Sequence, residues 1–164
     1  MDNAMTLPDS SILLALDFGG TKLTAALVAA GINQGRGLPV RGWLAHAEAA
    51  SPADCTCQSD LRIMRELVGK LLAVAEGPLA AIGVSFGGPV AKGRRVVRLS
   101  YHVPGWEEVA LCDRLEVELG APAFMDNDGN TAALGEYRYG AGQGTNSLLY
   151  ITCLLYTSDA ADDN

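Results

Sequence analysis

Two stretches of this chain combine residue types that can do chemistry at a spacing that gives them a purpose. The first is Leu14-Ala-Leu-Asp-Phe-Gly-Gly-Thr-Lys22. The apolar run from Ile12 to Leu16 is of the kind that makes a buried strand. Asp17 stands at its end, Gly19, Gly20, Thr21 and Lys22 follow at once, and a second apolar run starts at Leu23. Strand, Gly-Gly turn and strand make a hairpin. Glycines at its tip let backbone N–H groups come close to an anionic ligand. Thr21 adds a hydroxyl, and Asp17 could hold Mg2+ through water. The second stretch is Met125-Asp-Asn-Asp-Gly-Asn-Thr-Ala-Ala-Leu-Gly-Glu136, in which a strand delivers Asn127 and Asp128 to the opening of a helix. A carboxylate there can accept the proton of an attacking hydroxyl, and a neighbouring amide, which both donates and accepts, can hold that hydroxyl in line. Asp128 fits the base and Asn127 the positioner. Asp128 also fits a plain helix N-cap, a role Asp fills well.

The elements that must position these residues follow from apolar periodicity. Ile12–Phe18 and Leu23–Ala29 form the first hairpin, Gly31–Gly37 carries turn residues, and Val40–Ala47 reads as a third strand. Ser51–Ser59 reads as a loop, and from Asp60 the positions Leu61, Met64, Leu67, Val68, Leu71 and Leu72 recur at helical spacing. Gly77 and Pro78 end that helix. Ala80–Phe86 is a short buried strand closed by Gly87-Gly88-Pro89, and Val90–Leu99 is a small hairpin around Lys92-Gly93. Glu107–Leu119 reads as a second helix ended by Gly120, Pro122–Met125 as a strand, and Asp128 as the start of a third helix. Gly140, Gly142 and Gly144 make a flexible link to a last strand, Leu148–Thr152. Hairpin-linked strands followed by helical crossovers define an α/β fold with a mixed, five-stranded sheet and flanking helices.

The hairpin motif, in the form Asp-Phe-Gly-Gly-Thr-Lys, resembles the first phosphate loop of the sugar kinase, actin and heat-shock ATPase superfamily, and within it the ROK family (repressors, open reading frames, sugar kinases). The Asn127-Asp128 stretch resembles the ROK pattern Asn-Asp-Ala-Asn-Ala-Ala-Ala-Leu-Gly-Glu, with Gly129 in place of the usual Ala. Ile82-Gly-Val-Ser-Phe-Gly-Gly-Pro-Val90 resembles the family's strand and Pro-Gly-Pro-Val loop beside the sugar, with Gly87 where that loop usually has Pro. The resemblance covers about Ile12 to Thr152. It implies a ribonuclease-H-like lobe of the actin and hexokinase type, and ATP-dependent phosphorylation of a hexose or N-acetylhexosamine, glucokinase-like, with Mg2+. By position it makes Asp128 the catalytic base. It makes Asn127, Gly87 and Gly88 substrate-binding, with Gly88 bringing backbone amides near sugar hydroxyls. It assigns Asp17, Gly19, Gly20, Thr21 and Lys22 to the nucleotide phosphates and their metal. Glucose, N-acetylmannosamine, N-acetylglucosamine and fructose all stay open as the sugar.

Two other readings compete. One is a sugar-responsive transcriptional regulator of the same family. Such regulators carry a helix-turn-helix ahead of the phosphate loop, and sixteen residues precede Asp17 here, too few for one. The other is a non-sugar member of the superfamily, such as an acetate kinase, against which the Asn127-Asp128 helix opening argues. His102-Val-Pro-Gly-Trp106 resembles the segment before the family's second helix. Trp106 fits equally a wall of the sugar site and a packing anchor, and His102, with no acid or nucleophile nearby, reads as structural or surface. Gly140-Ala-Gly-Gln-Gly144 is no dinucleotide fingerprint, because a helix precedes it and a strand follows.

Composition agrees with a packed globular fold. The 164 residues are 49% apolar and 19% charged, with a net charge of −7 and no basic cluster beyond Lys92–Arg95 with Arg98. That disfavours a nucleic-acid partner, and no apolar run approaches a membrane span. The first ten residues lack a signal-peptide pattern, so a cytoplasmic setting with reduced thiols is expected. Cys55 and Cys57 read as free loop thiols and Cys112 as core. Their spacing does not suit zinc, and the family's zinc cysteines would lie in a later lobe. Sugar and ATP are the expected partners, and a homodimer of the longer protein is compatible with the resemblance.

The last twelve residues, Cys153–Asn164, break the pattern and read as the translated end sequence of a transposon-based sequencing library. Without Asp159, Asp162 and Asp163 the net charge is −4. The expected organisation is a loose lead-in over 1–10, the lobe over 11–144, the first strand of a second lobe over 145–152, and the adapter over 153–164.

Overall fold

The computed structural model describes residues 11–29, 43–91 and 93–152. The expected lead-in, the Gly31–Gly37 turn, Lys92 and the Cys153–Asn164 tail lie outside the described residues.

Strand alternation sets the first layer. In β1 (Ile12–Phe18) the side chains of Ile12, Leu14, Leu16 and Phe18 are buried, while Leu13, Ala15 and Asp17 take the other face. β2 (Lys22–Ala29) returns antiparallel, pairing Phe18 with Leu23 and Asp17 with Thr24. β3 (Trp43–Ala50) adds at the outer edge, antiparallel to β2. It ends three residues beyond the Val40–Ala47 expected, the first three residues of which lie outside the described residues. A cross-strand ladder, with Ala45, Ala47 and Ala49 opposite Leu27, Ala25 and Leu23, sets its limits, and small residues at those positions carry little periodicity of their own.

α1 (Cys57–Leu72) crosses over to β4 (Leu79–Phe86), parallel to β1. The helix starts at Cys57 and not at Asp60. Thr56 accepts the Ser59 N–H, and the Ser59 hydroxyl accepts the Thr56 N–H, a reciprocal capping box. Cys57 therefore opens the helix and is not in a loop. Cys55, Cys57 and Cys112 are free thiols, all buried. Burial pushes the Cys57 thiol up and takes Cys112 up to about 11, so both are protonated core groups at neutral pH.

A two-stranded ribbon, β5 (Val90–Ala91) and β6 (Val96–Val97), precedes α2 (Leu111–Leu119). α2 begins four residues later than the Glu107 expected. The Val97 N–H donates to the Val109 carbonyl and the Glu108 N–H to the Arg98 carbonyl, so these residues extend the ribbon, and Glu108 sits at φ 53°. β7 (Ala123–Asn127) completes the sheet parallel to β4, and α3 (Asp128–Tyr139) leaves directly from its end. The sheet order is β3-β2-β1-β4-β7, the mixed five-stranded sheet expected.

One face of this sheet packs on α1 and α2 in a single apolar core. The start of β7 is held at that layer by a polar fork. Glu116 Oε1 accepts the Ala123 N–H at 2.9 Å, and Arg95 donates to the Ala123 carbonyl at 3.3 Å and to Glu116 at 2.6 Å. The other face carries α3, which buries none of its residues. Beyond α3 the glycine segment is a run of hydrogen-bonded turns, with the Gly140 and Gly142 N–H groups both on the Glu136 carbonyl. Residues 148–152 form no strand. Among the described residues no strand pairs with this segment, and strands hold only against a partner. No helix among the described residues is long and apolar enough to cross a membrane.

Two glycines separate the roles of backbone and packing. Gly120 closes α2 at φ +70°, where alanine is strained, whereas Gly69 lies inside α1 with open space around it. Gly120→Ala should lower unfolding stability by about 1 kcal/mol. Gly69→Ala should raise it by about 0.5–1 kcal/mol. Urea unfolding followed by circular dichroism checks both signs.

Candidate functional site

Parallel register brings three strand ends to one place. Phe18 pairs with Phe86 and Phe86 with Asn127. Gly19, Gly87 and Asp128 are the next residues along their strands, so they emerge side by side. The Gly87 N–H donates to the Phe18 carbonyl at 2.9 Å. Below this joint, Trp106 sits edge-on to both Phe18 and Phe86, with ring centroids 5.4 and 4.9 Å away. Trp106 is 1% exposed. It is the packing anchor of the two alternatives and not a wall of an open pocket.

The hairpin tip is tightly built. The Gly19 N–H donates to the Lys22 carbonyl at 3.1 Å, and a Cβ on Gly19 would lie 2.8 Å from that same oxygen. Gly20 and Thr21 are exposed, and the Thr21 carbonyl accepts the Ser51 N–H at 2.9 Å. Asp17 is half-buried on the open face of the sheet, its Oδ2 4.0 Å from where a Gly19 Cβ would stand. Lys22 stands apart from the others, its ammonium paired with Glu48 on β3 at 3.1 Å.

Opposite the tip, Asn127 and not Asp128 is the cap of α3. Its Oδ1 accepts the Gly129 N–H at 3.0 Å and its Nδ2 donates to the Gly88 carbonyl at 3.1 Å. Asp128 is the first helical residue. Its Oδ1 accepts the Gly129 N–H at 2.7 Å, while its Oδ2 faces Gly87, 3.8 Å from the Cβ position there. The Gly19 Cα is also 3.8 Å from that position. Gly87 is thus the gap across which Asp128 and the hairpin tip face one another. The Gly88 amide, expected near a sugar hydroxyl, instead donates to the Phe86 carbonyl, and the Gly87 amide is spent on Phe18. What this pair supplies is room. A Cβ on Gly88 would come within 2.6 Å of the Leu99 carbonyl oxygen.

Asp17 and Asp128 both line a groove of about 580 Å3 on the open sheet face, floored by Ala15, Gly83 and Ser85 and flanked by Thr131 and Leu134 of α3. Two further residues lie beside the site: His102, which motif reading took as structural or surface, and Asp126, to which it gave no role. The exposed His102 ring lies 3.3 Å from the Cβ position on Gly20, placed there by the His102–Trp106 turn. Asp126 accepts the N–H of Asn127 and the amide of Asn130 on Oδ1, and pairs through Oδ2 with Arg94 at 3.2 Å. The Asp-x-x-x-Asn spacing on one side of the helix start is the signal for that pair. Among the described residues no three His, Cys, Asp or Glu side chains converge as a metal cage. Asp17, beside a hairpin tip whose Gly20 and Thr21 are exposed, instead suits hydrated Mg2+, which binds through one or two carboxylates, waters and substrate phosphates.

A mixed β3-β2-β1-β4-β7 sheet with a glycine hairpin and a helix start at the ends of its parallel strands is the lobe of an actin and hexokinase-like ATPase fold. The structure of a ROK family glucokinase from Streptomyces griseus, in complex with glucose and AMPPNP, superposes with a TM-score of 0.65 at 28% identity, over 81% of this chain and 38% of that one. An inorganic polyphosphate/ATP-glucomannokinase from Arthrobacter sp. strain KM gives a TM-score of 0.64 at 29% identity, over 82% of this chain and 51% of that one. The ROK family model matches residues 13–154, and the chain belongs to the ROK family. A glucokinase of Streptomyces coelicolor is 27% identical over 143 residues, which is 86% of this chain and 40% of that enzyme. The chain therefore spans well under two thirds of the relatives it matches.

The backbone is closely packed at Gly88, and Gly83, inside β4, gives a control. Gly88→Ala should cost about 1–3 kcal/mol, because backbone atoms cannot yield as a side chain does. Gly83→Ala, with nothing within 4 Å of its Cβ position, should stay within about 0.5 kcal/mol. Chemical denaturation of the two variants checks the contrast.

Proposed function

We propose that this chain is the N-terminal lobe of a kinase that moves the γ-phosphoryl group of ATP to a hydroxyl of a hexose or N-acetylhexosamine. The observation that carries the reading is the placement of Asp128 Oδ2 across Gly87 from the Gly19 turn. It puts a proton acceptor on one side of a gap and a glycine backbone turn on the other. Membership of a family that includes sugar kinases, and likeness to proteins named glucokinase, support the substrate class.

In this mechanism the Gly19–Thr21 tip receives the nucleotide phosphates, through the exposed Gly20 and Thr21 backbone and the Thr21 hydroxyl. Asp17 would hold hydrated Mg2+, which would neutralise charge on the phosphates when bound. The sugar hydroxyl lies between Asp128 and the γ-phosphorus. Its oxygen forms the new P–O bond as the bond from phosphorus to the β–γ bridging oxygen breaks. ADP leaves, and the hydroxyl proton passes to Asp128 Oδ2. Asn127 is rigid here because both ends of its amide are bonded within the fold, and the second N–H of its Nδ2 is the contact it can offer the sugar. Lys22 would reach the phosphates only by leaving Glu48, an exposed pair worth little to hold.

The partial span of its relatives bears on activity. A second lobe closing over the nucleotide would exclude water and complete the phosphate contacts, and residues 145–152 would then gain a partner for the strand they do not form alone. A sugar-responsive regulator built on the same lobe needs sugar ligands but no base.

The 164-residue chain alone should form no sugar phosphate from ATP and glucose or N-acetylmannosamine. A chimera in which residues 11–152 replace the matching lobe of the Streptomyces griseus glucokinase should form it. Asp128→Asn in that chimera should keep the fold and lower kcat by about 10²–10⁴, the usual worth of a general base. A coupled assay for ADP release measures both. A folded chimera that turns over none of the four candidate sugars, or near-normal kcat in the chimera carrying Asp128→Asn, would overturn the reading.

A further inference from the structure

Asp60 is a buried acid for which the proposed chemistry has no use. It is 2% exposed, in the first turn of α1. Its hydrogen-bond donors are neutral. The Ser51 hydroxyl donates to Oδ1 at 3.0 Å, and the Trp106 indole N–H donates to Oδ2 at 3.3 Å. A buried carboxyl is costly to keep, and leucine would fill a helix position facing a core at no such cost. What the carboxyl does, and leucine cannot, is tie two distant segments to one point.

Each segment leads to the hairpin tip. Ser51 follows β3 directly, and its N–H donates to the Thr21 carbonyl, the last rung of the β2–β3 ladder and part of the tip itself. Trp106 packs against Phe18 and Phe86, the residues immediately before Gly19 and Gly87. The turn that carries Trp106 also sets the His102 ring over Gly20 and is bonded to α1 through the Cys57 N–H and the Pro104 carbonyl. We propose that Asp60 is a positioning residue for the Gly19–Thr21 tip: one oxygen holds the strand exit bonded to Thr21, and the other holds the aromatic wedge under Gly19. Burial pushes the Asp60 carboxyl above the usual carboxylate range, and the bonds from Ser51 and Trp106 offset part of that rise. The geometry of this inference is independent of what the tip binds. Its meaning for catalysis rests on the phosphate-binding reading above.

The test is native-state hydrogen exchange on the full 164-residue chain, with the Ile82 amide, bonded to the Pro122 carbonyl in the sheet, as the measure of global opening. Asp60→Ala should speed exchange at the Gly19 and Ser51 amides about tenfold more than at Ile82. Asp60→Asn, which can still accept from Trp106 and bond Ser51, should restore both. If Asp60→Ala does not fold, Ser51→Ala cuts one arm alone and should give the same localised rise at Gly19. A parallel rise at all these amides, or none at Gly19, would overturn the inference by showing a plain structural acid. In the chimera, Asp60→Ala should raise KM for ATP about tenfold while KM for the sugar moves less, the loss expected from one loosened hydrogen-bonded contact. Localised exchange in an active chimera whose KM for ATP stays put would sink the phosphate reading of the tip and leave its positioning by Asp60 standing.

Discussion

Between the Gly87 N–H and the Phe18 carbonyl runs a hydrogen bond of 2.9 Å that closes β1 on β4 at their last residues. Everything chemical in the lobe is measured from it. One residue beyond it on β1 is the hairpin turn; beyond it on β4 is the glycine gap; and β7, held to β4 in the same register, presents Asn127 and Asp128 at the same height. Parallel strands end level only if their register is fixed, and a slip of one residue would send Asp17 into the core and a phenylalanine into the groove. The three rings of Phe18, Phe86 and Trp106 resist such a slip. Their edge-on contacts add about 0.5–1.5 kcal/mol per pair beyond burial, at the strand ends where backbone ladders are otherwise weakest.

The two faces of the sheet divide the work. Side chains of Ile12, Leu14, Leu16 and Phe18 enter the core with α1 and α2, while Ala15, Asp17, Gly83 and Ser85 face the groove. Small residues on the second face cost little packing and leave volume. Acidic residues there keep partial contact with water, which spares them the desolvation that a place in the first layer would bring. Asp60 is the exception, an acid inside the first layer, and two neutral donors compensate it.

Much of this is legible in the sequence, for physical reasons that differ by element. β1 and β4 are apolar runs closed by glycines, and their ends at Phe18 and Phe86 follow from that, while β4 starts one residue before the Ala80 expected. The end of β3 is harder to read, because Ala45, Ala47 and Ala49 alternate too weakly to mark a face, and the strand ends three residues later than its pattern suggests. The start of α1 escapes pattern reading because its capping box uses Ser59 where a longer acid or amide is the common partner. The start of α2 escapes it because Glu107–Ala110 has helical composition, yet its backbone groups are spent on β6. At the site, residue types and chain order point Asp17, Gly19, Gly87 and Asp128 to a common location, which the register delivers. They do not reveal that the Gly88 amide is turned inward, that Asn127 takes the cap, or that His102 comes to rest on Gly20. Each of those is decided by contacts between segments far apart in the chain.

The fork of Arg95 and Glu116 on Ala123 has a consequence for how the molecule behaves in company. β7 is the outermost strand on its side of the sheet, and the Ala123 N–H and carbonyl point away from β4. An open rim of this kind is a template on which a second chain can nucleate a further strand. Here both groups are already occupied by charged side chains from α2 and the ribbon. A stranger's backbone would have to displace a guanidinium and a carboxylate at once to dock at that point. The same contact that anchors β7 therefore acts as a stopper against intermolecular sheet growth, so that the strand leading to Asn127 and Asp128 can lie at the sheet's margin without inviting aggregation there.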